Sequence, residues 1–77
     1  MPELELFGTR SCPYTSEMRE WLELRGSEFT EYDVEADHAA RERMRGLAQP
    51  PYTVPLLVQG GKVIQVGWQG RGCVVGK

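Results

Sequence analysis

Cys12 and Cys73 are the two residues of this chain that can make and break a sulfur–sulfur bond. Cys12 opens the run Cys12-Pro13-Tyr14-Thr15, which follows a Gly8-Thr9-Arg10-Ser11 turn and begins a helical stretch. A cysteine at the first turn of a helix faces unpaired backbone N–H groups and the positive end of the helix dipole. Both stabilise a thiolate, and the thiolate is the attacking species. In a dithiol redox motif the fourth residue would be a second cysteine; here it is Thr15. The local motif can attack a disulfide but cannot by itself resolve the mixed disulfide that results.

Cys73 has two readings. It is an inert hydrophobe beside Val74 and Val75, or it is the sulfur that resolves Cys12. Reach is no obstacle, since the six steps from Gly67 to Cys73 span up to about 20 Å. A glycine-rich segment also closes such a loop at little cost. Thr15 is a helix-surface hydroxyl or a proton donor to the thiolate, and hydroxyls commonly bond the local backbone. His38, the single histidine, falls at the start of a second helix, where a solvated side chain is expected rather than a Cys–His pair. Neither cysteine has ligands at zinc-finger spacing, so no metal site is expected.

The elements that must position these residues follow from periodicity. Residues 3–7 alternate, with Leu4 and Leu6 on one face and Glu5 and Phe7 on the other, which predicts a strand. Residues 11–26 change to a helical pattern, with Met18, Trp21, Leu22 and Arg25 at helical spacing. Ser11 or Thr9 is expected to cap its start and Gly26 to end it. Residues 28–34 alternate again, with Phe29, Tyr32 and Val34 apolar. Asp37 is a suitable N-cap for a second helix over 38–47, whose buried stripe is Ala40, Met44 and Leu47. Gln49-Pro50-Pro51 ends it. Leu56-Leu57-Val58 is a third strand, Gly60-Gly61-Lys62 a hairpin turn, and residues 63–66 a fourth strand. The order is β-α-β-α-β-β, with a right-handed parallel crossover first and an antiparallel hairpin last. Four glycines among residues 67–77 predict a non-helical tail. In it Trp68 is either a plug for an open sheet face or a wall of the site. Tyr52, beside Thr53, lines the cleft or packs on the prolines.

The totals agree with one small soluble domain over residues 1–77, 40% hydrophobic and 26% charged. A net charge of -2 gives no electrostatic case for nucleic acid, and Arg41, Arg43 and Arg45, interleaved with Glu42, read as a solvated helix face. The N-terminal residues have no basic region and no long apolar run, so neither a signal peptide nor a membrane span is expected. Two cysteines are too few for a disulfide scaffold. Cytoplasmic residence follows as the default, and there a cysteine is more often reactive than structural.

This order of elements, with Cys-Pro-Tyr at the first helix and Thr53-Val54-Pro55 before the third strand, resembles glutaredoxin over roughly residues 3–68. Cys12-Pro13-Tyr14-Thr15, Glu17-Met18-Arg19-Glu20-Trp21, Pro50-Pro51-Tyr52-Thr53-Val54-Pro55 and Gly67-Trp68-Gln69-Gly70-Arg71-Gly72-Cys73 also look like the small glutaredoxin-like group called Uxx-star, some of whose members carry selenocysteine at the position of Cys12. The resemblance implies an α/β, minimal thioredoxin-like fold with a four-stranded mixed sheet, lacking the usual C-terminal helix. It implies Cys12 as nucleophile, Pro13 and Tyr14 flanking the bound thiol, and Pro55 as a cis-proline facing Cys12. The Val54 backbone, with Thr53 before it, would then pair with the peptide part of a substrate. Arg10 would stand near a glycyl carboxylate and Gly67 in the region that holds the γ-glutamyl end, with Trp68 beside it as a further substrate-binding candidate. Where glutaredoxins carry acidic or hydroxyl residues for the γ-glutamyl end, this chain has Val66-Gly67-Trp68-Gln69-Gly70. Glu5 is expected to border a sheet face left partly uncovered, which the tail or a second copy would meet.

The activity implied is that of a monothiol-type thiol–disulfide oxidoreductase. Its partners would be protein or small-molecule disulfides, with glutathione or another low-molecular-weight thiol as co-substrate and no bound cofactor. The chain would be a monomer or weak homodimer. One alternative is a thiol peroxidase, with Cys73 or an external thiol reducing a Cys12 sulfenic acid. Another is an iron–sulfur carrier in which two copies hold a cluster through Cys12 and external thiols.

Overall fold

The structure, a computed structural model, describes residues 4–75. The expectations for residues 1–3, including the first residue of the N-terminal strand, and for residues 76 and 77 of the tail lie outside the described residues. The elements are β1 (Leu4–Gly8), α1 (Pro13–Leu24), β2 (Thr30–Asp33), α2 (His38–Leu47), β3 (Tyr52–Val54), β4 (Leu56–Gln59), β5 (Lys62–Val66) and β6 (Cys73–Val75). Four strands form one mixed sheet in the order β2-β1-β4-β5. β1 runs parallel to β2 and antiparallel to β4, and β4 pairs antiparallel with β5. This is the minimal thioredoxin-like arrangement expected from the sequence.

β1 is central, so its alternate side chains supply two cores. Leu6 packs with Met18 and Leu22 of α1 and with Leu57. Phe7 packs with Val34, with Ala40 and Met44 of α2, and with Leu56 and Val58. Both helices end where the chain chemistry stops them. The side chain of Asp37 accepts from the Ala40 N–H at 3.1 Å and caps α2. After α1, Gly26 takes φ +74. Its N–H reaches the Glu23 carbonyl while the Ser27 N–H reaches that of Leu22, both at 3.0 Å. A residue with a side chain disfavours that left-handed turn. Gly60 and Gly61, at φ +58 and +82, close the β4–β5 hairpin as expected.

Three expectations are corrected. Neither Ser11 nor Thr9 caps α1; its N-cap is Cys12, and Thr9 is buried in the preceding turn. Glu5 does not border an open face. It lies on the α2 side, where Arg43 donates to its two carboxylate oxygens at 2.7 and 2.8 Å and the Tyr32 hydroxyl donates at 3.2 Å. The Arg43 guanidinium also covers the rings of Phe7 and Tyr32. The hydrogen bonds from Arg43 hold the Glu5 carboxyl below the usual carboxylate range, against the opposing effect of partial burial. The uncovered ground is on the other face, a groove of about 440 Å³ beside α1 whose walls include Leu4, Trp21, Leu57 and Ile64. Finally, the order has two strands more than expected, one of them in the tail. The tail's glycines do exclude a helix, but the run Cys73-Val74-Val75 forms β6 and pairs antiparallel with β3 in a second, two-stranded sheet. Among the described residues no helix is long and apolar enough to cross a membrane.

Candidate active site

The turn before α1 and the start of the helix fix Cys12. Its N–H donates to the Thr9 carbonyl at 3.4 Å, and its own carbonyl accepts from the N–H groups of Thr15 and Ser16 at 3.1 and 3.4 Å. Pro13 occupies the first helical position, where a missing N–H costs nothing. No side chain caps the helix, so the Cys12 sulfur is the polar group at its positive end. Cys12 is buried, and it belongs to the core that contains Phe7 and Met44. Tyr14 packs against the same core, Pro13 is exposed, and Arg10 is exposed in the turn.

A disulfide joins Cys12 to Cys73 of β6, with Cα atoms 6.0 Å apart and a sequence separation of 61. The Cys12 sulfur also lies 3.9 Å from the Val54 carbonyl oxygen. The Val54–Pro55 bond is cis, as the resemblance implied, and so is Pro50–Pro51. Val54 and Pro55 are buried, and Thr53 is half-buried. β6 meets this segment residue for residue, with Cys73 opposite Val54, Val74 opposite Thr53 and Val75 opposite Tyr52.

Glycines bring the tail to this position. The Gly67 N–H donates to the Pro55 carbonyl at 2.7 Å. Gly67 has φ +79, and a methyl group there would stand 2.6 Å from the Arg71 carbonyl oxygen. A tight turn follows, with Trp68 and Arg71 exchanging backbone hydrogen bonds of 2.6 and 2.9 Å. At Gly72 a methyl group would stand 2.7 Å from the Val54 carbonyl oxygen. Each of these approaches is closed to a larger residue.

Trp68 acts as a plug. It packs on the Leu6–Met18 core, meets the Trp21 ring edge-on with centroids 5.5 Å apart, and donates its indole N–H to Glu17 at 3.0 Å. It therefore belongs to the α1-side core, whereas Cys12, Val54 and Cys73 gather at the other. Thr15 departs from the helix-surface alternative. It is fully buried, and its hydroxyl oxygen has no hydrogen-bond partner. The reason is Gly8: a methyl group there would stand 2.6 Å from the Thr15 hydroxyl oxygen, so the threonine fills the space that the glycine leaves. His38 is exposed at the start of α2. Among the described residues no three of His, Cys, Asp or Glu are grouped so as to hold a metal ion.

The arrangement places one sulfur at a helix N-terminus and a second on a short strand that is reached through glycines. It can store two electrons as a dithiol and release them as a disulfide. Sequence reasoning missed the backbone pairing that delivers Cys73; the signal was a β-branched pair, Val74-Val75, directly after a glycine and a cysteine.

The family model described as Glutaredoxin matches residues 4–64. No curated protein and no solved structure matches the chain. Cys12, Thr15, Val54 and Pro55 fall within the matched span, and Gly67, Trp68 and Cys73 lie beyond it.

Proposed function

The chain belongs to the glutaredoxin family, and from that premise we propose that its oxidoreductase chemistry runs on Cys12 and Cys73 as a pair. The observation that carries this reading is the bond between the two sulfurs. In the reduced protein the Cys12 thiolate, favoured by the helix N-terminus, attacks a substrate disulfide. One substrate sulfur bonds to Cys12 and the other leaves as a thiolate. Cys73 then attacks the Cys12 sulfur, which displaces the second substrate thiolate and forms the Cys12–Cys73 bridge. Two molecules of a low-molecular-weight thiol, glutathione by family habit, reduce the bridge and leave as their own disulfide. The motif Cys12-Pro13-Tyr14-Thr15 is monothiol by sequence, and β6 supplies the second thiol from a distance. The likeness to the Uxx-star group and a cytoplasmic, thiol-rich setting are parts of the same reading.

The test is reduction of 2-hydroxyethyl disulfide by glutathione, together with mass mapping after treatment with oxidised glutathione. Cys12→Ser should abolish turnover. Wild type should recover the internal bridge without a lasting adduct, whereas Cys73→Ser should retain one glutathione on Cys12. Turnover persisting in Cys12→Ser, or a stable Cys12 adduct in wild type with Cys73 free, overturns the reading.

A further inference from the structure

We propose that β3 is a docking edge for an extended cysteine peptide of the form Gly-Cys-x-aliphatic, and that β6 is the chain's own copy of that ligand. The inference rests on the oxidoreductase reading and names its substrate: a protein disulfide whose cysteine lies in an exposed, extended segment of that pattern.

Among the described residues β6 is the sole strand paired with β3. When it leaves, the edge of Tyr52–Val54 has backbone groups to satisfy, and an extended peptide is the partner such an edge accepts. The contacts of β6 describe what that peptide must be. Side chains of a strand alternate, so positions two apart share a face. Cys73 points its sulfur at Cys12, and Val75, only 9% exposed, enters the core beside Phe7 and Met44. Val74 between them is 68% exposed and reads nothing. Ahead of the cysteine, the approach of Gly72 to the Val54 carbonyl leaves no room for a side chain. The site therefore selects glycine, then cysteine, then any residue, then an aliphatic one. Glutathione, with a single residue after its cysteine, would leave the Val75 position empty.

β6 is also built to be exchanged. The Gly67–Pro55 hydrogen bond, the Trp68 contacts and the Trp68–Arg71 turn all precede Gly72. The strand can leave with the turn still anchored, once its sulfur is free. The cycle then reads as a strand exchange. The Cys12 thiolate attacks the peptide sulfur of a peptide–S–S–X disulfide, forming Cys12–S–S–peptide and releasing X as its thiolate. Cys73 attacks the Cys12 sulfur, the peptide departs as its thiolate, and β6 takes the place on β3 that the peptide vacates. Two electrons pass from the Cys12 and Cys73 thiols to the substrate disulfide, so resolution and product release are one event.

The test uses full-length Cys73→Ser protein, which stops at the mixed disulfide. Its probes are blocked synthetic peptides, each joined through its cysteine to 2-nitro-5-thiobenzoate, whose coloured thiolate reports the attack. Gly-Cys-Asp-Val and Gly-Cys-Val-Asp have the same composition and charge. The first should react about tenfold faster or more, the effect of one aliphatic side chain buried or replaced by a charge. Ala-Cys-Val-Val should react correspondingly more slowly than Gly-Cys-Val-Val. Equal rates for the two isomers, in a protein whose wild type still turns over 2-hydroxyethyl disulfide, overturn the docking proposal alone. A wild type inactive on both kinds of substrate overturns the oxidoreductase reading and the proposal with it.

Discussion

In the four-stranded sheet, β1 has a hydrogen-bonded partner on each edge and a packed cluster on each face. In the β3–β6 pair, three residues meet three, Val54 and Val75 are buried, and Val74 faces solvent. The first is a frame that no single contact decides. The second is held by one aliphatic side chain, a few backbone hydrogen bonds and a covalent bond that a reductant removes. The Cys12–Cys73 bridge lies where the two meet: Cys12 is fixed by the frame, while Cys73 lies on the small pair. Under the proposed function, this would give one small domain a nucleophile fixed by the frame and a resolver on a releasable strand.

The sharpest way to break this contrast is to truncate one side chain in each sheet and unfold the reduced variants in urea. Phe7→Ala should cost about 3–5 kcal/mol, the range for a buried phenylalanine, close to the whole stability of a domain this size. Val75→Ala should cost about 1.6 kcal/mol or less, the equivalent of two buried methylenes at most. Similar costs would make β6 part of the frame.

Next in size is the bridge. Closing a loop over 61 positions removes unfolded-state freedom, contributing on the order of 4 kcal/mol in the chain-entropy account. The oxidised protein should therefore melt on the order of 15–30 °C above the reduced one, since each kcal/mol moves the midpoint by about 4–8 °C at this size. Cys73→Ser should melt like the reduced protein and ignore the reductant. A midpoint that reduction leaves unchanged would sever the tail from the folded unit.

The smallest effect belongs to the frame's α2-side face. Glu5 has its carboxyl lowered by the Arg43 hydrogen bonds, so its contribution is present above the unfolded-state value and is lost as pH falls through the folded one. Acid titration of wild type and Arg43→Gln should converge at low pH and separate as Glu5 ionises. A constant gap across that range would mean that Arg43 acts by covering Phe7 and Tyr32 rather than by charge.

The frame was legible in the sequence and the small sheet was not, for physical reasons. α2 announces itself through the Asp37 cap and the Ala40–Met44 spacing, and the hairpin through Gly60-Gly61, because those signals are local. β3 and β6 are each three residues long, too short for alternation to show, and their pairing joins segments far apart in the chain. Thr53-Val54-Pro55 reads as a lead-in because proline obscures the strand before it. At the site, Cys12 was evident from its place at a helix start. The burial of Thr15 was not, since it depends on Gly8 across the fold, and neither was the placement of Glu5, which only Arg43 of α2 decides.

Trp21 and Trp68 are the only tryptophans in the chain, and they meet one another at the base of the tail. Two indoles this close, with one donating to a carboxylate, share an electronic environment that is sensitive to small changes in separation and angle. The tryptophan emission of this protein therefore originates at a single place, the turn from which β6 extends. The molecule carries an unlabelled optical gauge of whether the Trp68–Arg71 turn keeps its seat against α1.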